Sequence, residues 1–289
     1  MRAPLNKSRR DDLKELWVPL SGAIAQQRKV ETIANNVANA NTPGFKKDQI
    51  VFKEYLTQFE KGYEQDLDLP HKEWKPEDFY RSYGAEHAKV KVDGSFTDFQ
   101  QGQTTPTGNP LDVALKGKGF IEVLTPNGVR YTRKGNLSIN PAGLLVTDGG
   151  NPVLSKIDPA LLLAGENLPS PQERTIQLPQ NSGRLAINFQ GELSNSNGKI
   201  SDLSIVEFND IHALKKEGNS FYINEKFENI STAENKTAVY QGFIEQSNVN
   251  AIQEMSELIK ANRNFESIQR VIKTYDTISG KGVNEIAKF

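Results

Sequence analysis

The 289-residue sequence contains no cysteine, which excludes disulfides, thiolate metal sites and cysteine nucleophiles together. With 2 Met and 2 Trp it has little material for an aromatic cage. No run approaches the about 18 apolar residues needed to span a bilayer. Neither sign of charge dominates: 35 Lys plus Arg stand against 36 Asp plus Glu, so bulk charge gives no reason to expect nucleic acid as a partner.

Catalytic signatures are missing as well. His71, His87 and His212 are the only histidines; no two are spaced i,i+4, and no His-Glu-x-x-His pattern occurs. Lys116-Gly117-Lys118-Gly119 and Gly280-Lys281-Gly282 lack the glycine spacing and the following Ser or Thr of a phosphate loop. Gly-x-Ser-x-Gly is absent, and no carboxylate pair stands at a recognisable catalytic spacing. These absences assign no catalytic, cofactor-binding or metal-binding residue, and the chain reads as a non-enzyme. Arg2, Lys7, Arg9 and Arg10 make a basic start that Asp11 and Asp12 follow at once, without the apolar core of a signal peptide. Ordinary targeting logic would keep such a chain inside the cell.

What is present is unevenly distributed. Of 22 glycines, 17 lie between Gly84 and Gly242, and no proline follows Pro179. Glycine and proline punctuate short strands and turns and are excluded from helix interiors, so the middle reads as β-rich and both ends as helical. The N-terminal helix is expected from Val18-Pro19 to about residue 40. Leu16, Leu20, Ala23, Gln27, Val30, Ala34 and Val37 recur in steps of four and three, a thin seam of small and polar residues suited to close packing. The C-terminal helix is expected from a cap at Ser247 or Asn248 to about Ser279, where Gly280 and Gly282 would stop it. Its stripe is Leu258, Ala261, Phe265, Ile268, Ile272 and Tyr275, flanked by Ile252, Met255 and Ile259. A helix of about 50 Å with a seven-residue repeat calls for a partner helix. Periodicity alone does not choose between a private helical hairpin and a seam shared among copies.

Between the helices, strands are expected at 89–92, 111–115, 120–124, 129–132, 137–139, 144–146, 174–178, 185–189, 203–208, 221–223 and 237–243. Pro126-Asn127-Gly128, Lys134-Gly135-Asn136 and Asn140-Pro141-Ala142-Gly143 supply turns, which points to an antiparallel barrel or sandwich-like domain. The expected organisation is a leader at 1–15, a helical segment at 16–44, a connector at 45–83, a β-rich domain at 84–243, a second helical segment at 244–280 and a tail at 281–289.

The residues at the helix ends are more specific. Ala34-Asn35-Asn36-Val37-Ala38-Asn39-Ala40-Asn41-Thr42-Pro43-Gly44-Phe45-Lys46 resembles the signature of bacterial flagellar rod, hook and hook-associated proteins. Gly242-Phe243-Ile244-Glu245-Gln246-Ser247-Asn248-Val249-Asn250, with Glu254-Met255 and Arg263 beyond, resembles the C-terminal signature of the same family. Thr107 to Leu115, Gly117-x-Gly119-Phe120 and Tyr131-Thr132-Arg133-x-Gly135-Asn136 are most like the proximal-rod members, with the distal rod the near alternative. The resemblance implies that the terminal helices pair in an inner coiled-coil layer with the β domain outside. It also implies copies of itself and other rod proteins as partners, export through the flagellar type III apparatus without a cleaved signal peptide, and a periplasmic home in the basal body. A soluble β-rich module binding protein or carbohydrate is the alternative from another class, and would make the helices dispensable.

Overall fold

The computed structural model describes residues 7–55, 89–157, 169–179, 185–218, 220–231 and 236–286. Residues 1–6, 56–83 and 287–289, parts of the expected leader, connector and tail, lie outside the described residues, as do His71 and His87. The chain divides into two compact units. One takes Met1–Val37, Asp48–Phe96 and Ala251–Phe289; the other takes Ala38–Lys47 and Thr97–Asn250.

The helical unit holds α1 (Lys7–Ala38), β1 (Asp48–Tyr55), β2 (Lys89–Thr97) and α2 (Ala251–Ile286). Helix α1 starts eleven residues before Val18, because Lys7 to Leu16 is dominated by good helix formers. Pro19 therefore lies inside the helix and not in its first turn. Helix α2 likewise runs through Gly280 and Gly282, each of which weakens a helix by about 1 kcal/mol without ending it. Contacts among the described residues join the helices. A Cβ on Gly22 would lie 3.9 Å from Cδ1 of Ile268. Gln26 Nε2 donates to the Ala261 carbonyl at 3.2 Å, and Asn36 Nδ2 donates to Glu254 Oε2 at 3.4 Å. As numbers rise on α1 they fall on α2, so the pair is antiparallel. Strands β1 and β2 form a two-stranded ribbon. Asn36 fixes it to α1 by giving and receiving hydrogen bonds with the Asp48 backbone, both 2.9 Å.

The β unit contains β3 (Thr104–Pro106), β4 (Val113–Lys116), β5 (Phe120–Thr125), β6 (Gly128–Thr132), β7 (Leu137–Ile139), β8 (Leu145–Thr147), β9 (Ala186–Ile187), β10 (Glu192–Asn195), β11 (Gly198–Asp202), β12 (Ile205–Val206), β13 (Lys215–Glu217), β14 (Phe221–Ile223), β15 (Ala238–Gln241) and β16 (Phe243–Glu245). All pairings given for them are antiparallel. The largest sheet has the order β12-β5-β6-β14-β13; a second runs β11-β10-β9, and β15-β4, β16-β3 and β7-β8 are separate pairs. Among the described residues no sheet closes into a barrel, which corrects that half of the expected architecture. The strands are too short, and too often interrupted by single bridges, to sustain closure.

One aliphatic core gathers Val113, Leu115, Ile121, Val123, Leu145, Leu193 and their neighbours. An adjoining aromatic core contains Phe120, Tyr131, Phe208, Leu214 and Tyr222, with rings mostly edge to face, as in Tyr131–Phe208 at 4.9 Å and 86°. Residues 174–178 bury Arg174, Ile176 and Leu178 as an alternating strand would, yet make only single bridges through Thr175 and Gln177. Residues 237–243 break at Gly242 into β15 and β16, which pair with different strands.

Burial pushes the Tyr131 hydroxyl up from 10.0 to about 12, with the nearby Glu122 carboxylate adding to the rise. Between those values the native chain keeps a proton that the unfolded chain releases, so stability is lost as pH rises through the window. Denaturation of Tyr131→Phe should show a smaller loss of stability than wild type from pH 10 to 12. An unchanged slope would refute the assignment.

Candidate functional site

The three stretches that carry the family resemblance meet inside the β unit, on one carboxylate. Glu245 ends β16, whose pairing with β3 places Glu245 opposite Thr104. Its side chain and that of Lys46 have no exposed surface. Lys46 Nζ donates to Glu245 Oε1 at 2.6 Å and to the Gln100 carbonyl at 2.6 Å. Oε1 also accepts the Gly102 backbone N–H at 3.0 Å. On the other oxygen, Arg133 Nη1 donates to Oε2 at 3.4 Å, and Arg133 Nη2 donates to the Gly117 carbonyl. The guanidinium lies over the Phe120 ring, 5.0 Å from its centre. Burial lowers the pKa of both Lys46 and Arg133, and the Glu245 charge opposes that shift in each.

The backbone around this triad is equally constrained. Gly44 N–H donates to the Glu245 carbonyl at 2.8 Å. Gly44 sits at φ +67°, and a Cβ there would come within 2.6 Å of the Arg133 carbonyl carbon. Only glycine meets both demands. Lys216 Nζ donates to the Lys46 carbonyl at 2.7 Å and lies 3.8 Å from the centre of the Phe45 ring. The Lys116–Gly119 stretch packs against Thr237: a Cβ on Gly117 would be 2.6 Å from Thr237 Oγ1, and that oxygen accepts the Gly119 N–H at 2.8 Å. These glycines serve backbone packing.

The asparagines of the motifs read backbone. Asn248 accepts from Lys47 N–H at 2.8 Å and donates to the carbonyls of Asp98 at 2.8 Å and Gln100 at 3.2 Å. It is therefore a staple and not the cap of α2. Ser247 is not that cap either: its hydroxyl accepts Val249 N–H at 3.2 Å, and Val249 is buried. Thr42 donates from both its N–H and its hydroxyl to Asn39, at 3.1 and 3.2 Å. Asn36 is buried and Asn35 exposed. Gly242 N–H donates to the Asp112 carbonyl at 2.8 Å. Met255 and Arg263 are exposed, whereas Glu254 is half-buried against Asn36.

On α1, Ala23 is buried, Val30 and Val37 are half-buried, and Leu20, Gln27 and Ala34 are exposed. The residues that meet α2 include Gly22, Gln26 and Asn36, one position before Ala23, Gln27 and Val37, a turn of about 100°. An apolar stripe overlooks glycine, which lets helices approach closely, and asparagine, which bonds across the contact. On α2, Ala261 is buried, Leu258, Phe265, Ile268 and Ile272 are half-buried, and Tyr275 is exposed. Sequence reasoning quoted Lys46 and Arg133 but did not single them out as partners of Glu245. No local pattern marks the carboxylate as inward: Phe243 and Ile244 are both half-buried, and the paired strand β3 is largely exposed. Among the described residues no group of His, Cys, Asp or Glu is placed to hold a metal, and no helix is long and apolar enough to cross a membrane.

A unit built on the two terminal helices and a β unit whose interior takes in the segments next to both helices in sequence define a helix-flanked structural subunit. Three family descriptions match it in succession: "Flagella basal body rod protein" over residues 18–46, "Flagellar hook protein FlgE/F/G D1 domain" over 114–195 and "Flagellar basal body rod FlgEFG protein C-terminal" over 240–285. Similar proteins include the flagellar basal-body rod protein FlgG of Bacillus subtilis, 30% identical over 288 residues, with 94% of this chain and 98% of that protein covered. The flagellar basal-body rod protein FlgF of Caulobacter vibrioides is 29% identical over 283 residues, again with 94% and 98% covered. FlgG of the same organism is 30% identical over 271 residues, covering 91% and 96%. The chain belongs to the flagellar basal-body rod protein family.

Removing one partner of a buried ion pair leaves an uncompensated charge, at a cost of about 3–5 kcal/mol. Glu245→Gln should destabilise the chain by that order in chemical denaturation, and adding Lys46→Met should restore part of the loss. Additive losses would show that the two residues do not act as a pair.

Proposed function

We propose that this chain is a structural subunit of the flagellar basal-body rod that polymerises with copies of itself and other rod proteins and passes motor torque along the rod to the hook. The reading is mechanical, with no reaction. Family membership supports it, and one structural observation carries it: both terminal helices keep large apolar side chains in water. On α2, Ile252 is 80% exposed, Met255 51% and Ile259 54%, in steps of three and four on the side away from Ala261. Val271, Tyr275 and Ile278 repeat the spacing nearer its end, and Leu20 and Ile24 do so on α1. A helix that packs one face and leaves a second apolar face bare is suited to further helices, here those of neighbouring copies in an inner coiled-coil layer. Contacts between unlike surfaces of successive subunits allow an open filament to grow.

The seam residues Leu20, Gln27, Ala34 and Tyr275, exposed in the single chain, belong to that shared layer in this reading. Ala23, Val30, Val37, Leu258, Ala261, Phe265, Ile268 and Ile272 serve the internal pair. Delivery by the flagellar type III apparatus and a periplasmic location in the basal body follow from the same reading. The Thr107–Leu115 stretch, which resembles proximal-rod members, supports a place in the proximal segment. The distal segment is the alternative, since relatives named FlgF and FlgG match at 29% and 30%. A basal-body density map that resolves side chains tests the placement; this sequence found in distal layers would overturn it.

Two substitutions separate assembly from folding. Ile252→Asp changes a site 80% exposed, so the monomer's stability should move by no more than about 0.5 kcal/mol while incorporation into isolated basal bodies and motility are lost. Phe265→Asp, at a half-buried position, should lower stability and assembly together while leaving export measurable. Normal motility of the Ile252 variant would sink the proposed shared face.

A further inference from the structure

Cysteine is absent and methionine occurs twice, so sulfur chemistry in this chain is confined to the thioethers of Met1 and Met255. Met1 lies outside the described residues. Met255 stands in the second turn of α2 and is 51% exposed. Its motif neighbour Glu254 faces the helix pair, where it accepts Asn36 Nδ2 at 3.4 Å. The next position is turned by about 100°, which carries Met255 into solvent.

The residues three and four positions from Met255 are all apolar: Ala251, Ile252, Leu258 and Ile259. Residues at these spacings are neighbours on a helix surface. Ile252 is 80% exposed and Ile259 54%, so the thioether is the middle member of a bare apolar row. A thioether sulfur is polarizable and keeps its lone pairs unprotonated across the ordinary pH range, so access decides its reactivity toward an oxidant. Oxidation to the sulfoxide turns a flexible apolar side chain into a polar one. In a row suited to receiving other helices, that change alters what the surface can hold.

We propose that Met255 is a redox-sensitive modification site: peroxide oxidises it to the sulfoxide in the free subunit, the sulfoxide blocks assembly, and assembly in turn shields the thioether. A sulfur lone pair attacks one oxygen of hydrogen peroxide, an S–O bond forms and the O–O bond breaks. The hydroxide released takes the proton from the new oxygen, leaving sulfoxide and water. Sulfur is oxidised by two electrons and the peroxide is reduced by the same two. In the free subunit the sulfoxide oxygen is hydrated, so the fold is unaffected. Between subunits it loses that water, and apolar rows such as Ile252 with Ile259 on α2 or Leu20 with Ile24 on α1 offer no side-chain donor in return. Enzymes that reduce methionine sulfoxide would restore the thioether. The reactivity of the free chain stands by itself; the effect on assembly rests on the shared apolar face proposed above.

The test treats the purified full chain and isolated basal bodies with hydrogen peroxide and follows the Met255 peptide by mass spectrometry for one added oxygen. Exposure sets the rate, so the native free chain should react within about tenfold of the denatured chain. A slower reaction would overturn the proposal. In basal bodies that contain the chain, Met255 should react at least about tenfold more slowly than in the free chain, because neighbours cover it. Equal rates there would overturn the proposal alone, whereas absence of the chain from basal bodies would overturn the rod reading and this coupling with it. Met255→Gln carries a permanent polar oxygen at similar length and should lower incorporation by about tenfold or more, with an unchanged denaturation midpoint. Met255→Leu should assemble normally and do so after peroxide treatment as before it. Normal incorporation of the Gln variant, or a lowered midpoint in it, would overturn the proposal. So would failure of the Leu variant, which would show that shape and not polarity matters at this position.

Discussion

Glu245 is a carboxylate without solvent, and its charge is tolerable only because Lys46 and Arg133 stand against it. Two cations for one anion leave a positive surplus in the interior. The surplus is met by dipoles and ring faces: the Gln100 and Gly117 carbonyls accept from the two cations, and the Phe120 ring lies beneath the guanidinium. Such an arrangement contributes little net stability compared with apolar residues of the same shape. What it supplies is a requirement. A chain that places only one of these residues correctly holds an unpaired charge in a dry site, so alternative packings of this region are strongly disfavoured.

That requirement links distant parts of the chain. Lys46 comes from the turn after α1, Arg133 from the end of β6 and Glu245 from the approach to α2. Gly44 and Lys216 lock the first of these in place, one through its N–H and one through its ammonium. The β unit is therefore not an insert that folds independently of the segments flanking it. Its interior is completed by the two stretches that lead into the terminal helices.

The helical ends and the β-rich middle were legible in the sequence because glycine and proline separate them so sharply. Strands 137–139 and 221–223 fall where alternation and flanking turns put them. Strands β10 and β11 were missed because Glu-Leu-Ser-Asn and Gly-Lys-Ile-Ser-Asp carry one apolar residue each, too few for a period. Strand β13, Lys-Lys-Glu, has none. Helix ends were misjudged in both directions by the same cause: Pro19, Gly280 and Gly282 were read as boundaries, and the surrounding helix formers carry the helix through them. The motif residues were visible, but their mutual contacts were not. A buried ion triad has no local period; its members lie 87 and 112 residues apart, and only the register of β16 on β3 brings them together.

Asn248 meets its neighbours through peptide groups alone, the N–H of Lys47 and the carbonyls of Asp98 and Gln100. Peptide groups are the same in every residue but proline, which lacks the N–H. The side chains at these three positions are therefore free to change, as far as this joint is concerned, provided that position 47 does not become proline. The asparagine itself has no such latitude, since its amide must donate and accept from one short arm. A joint built in this way lets the outer surface be rewritten for new neighbours while the geometry beneath it is kept.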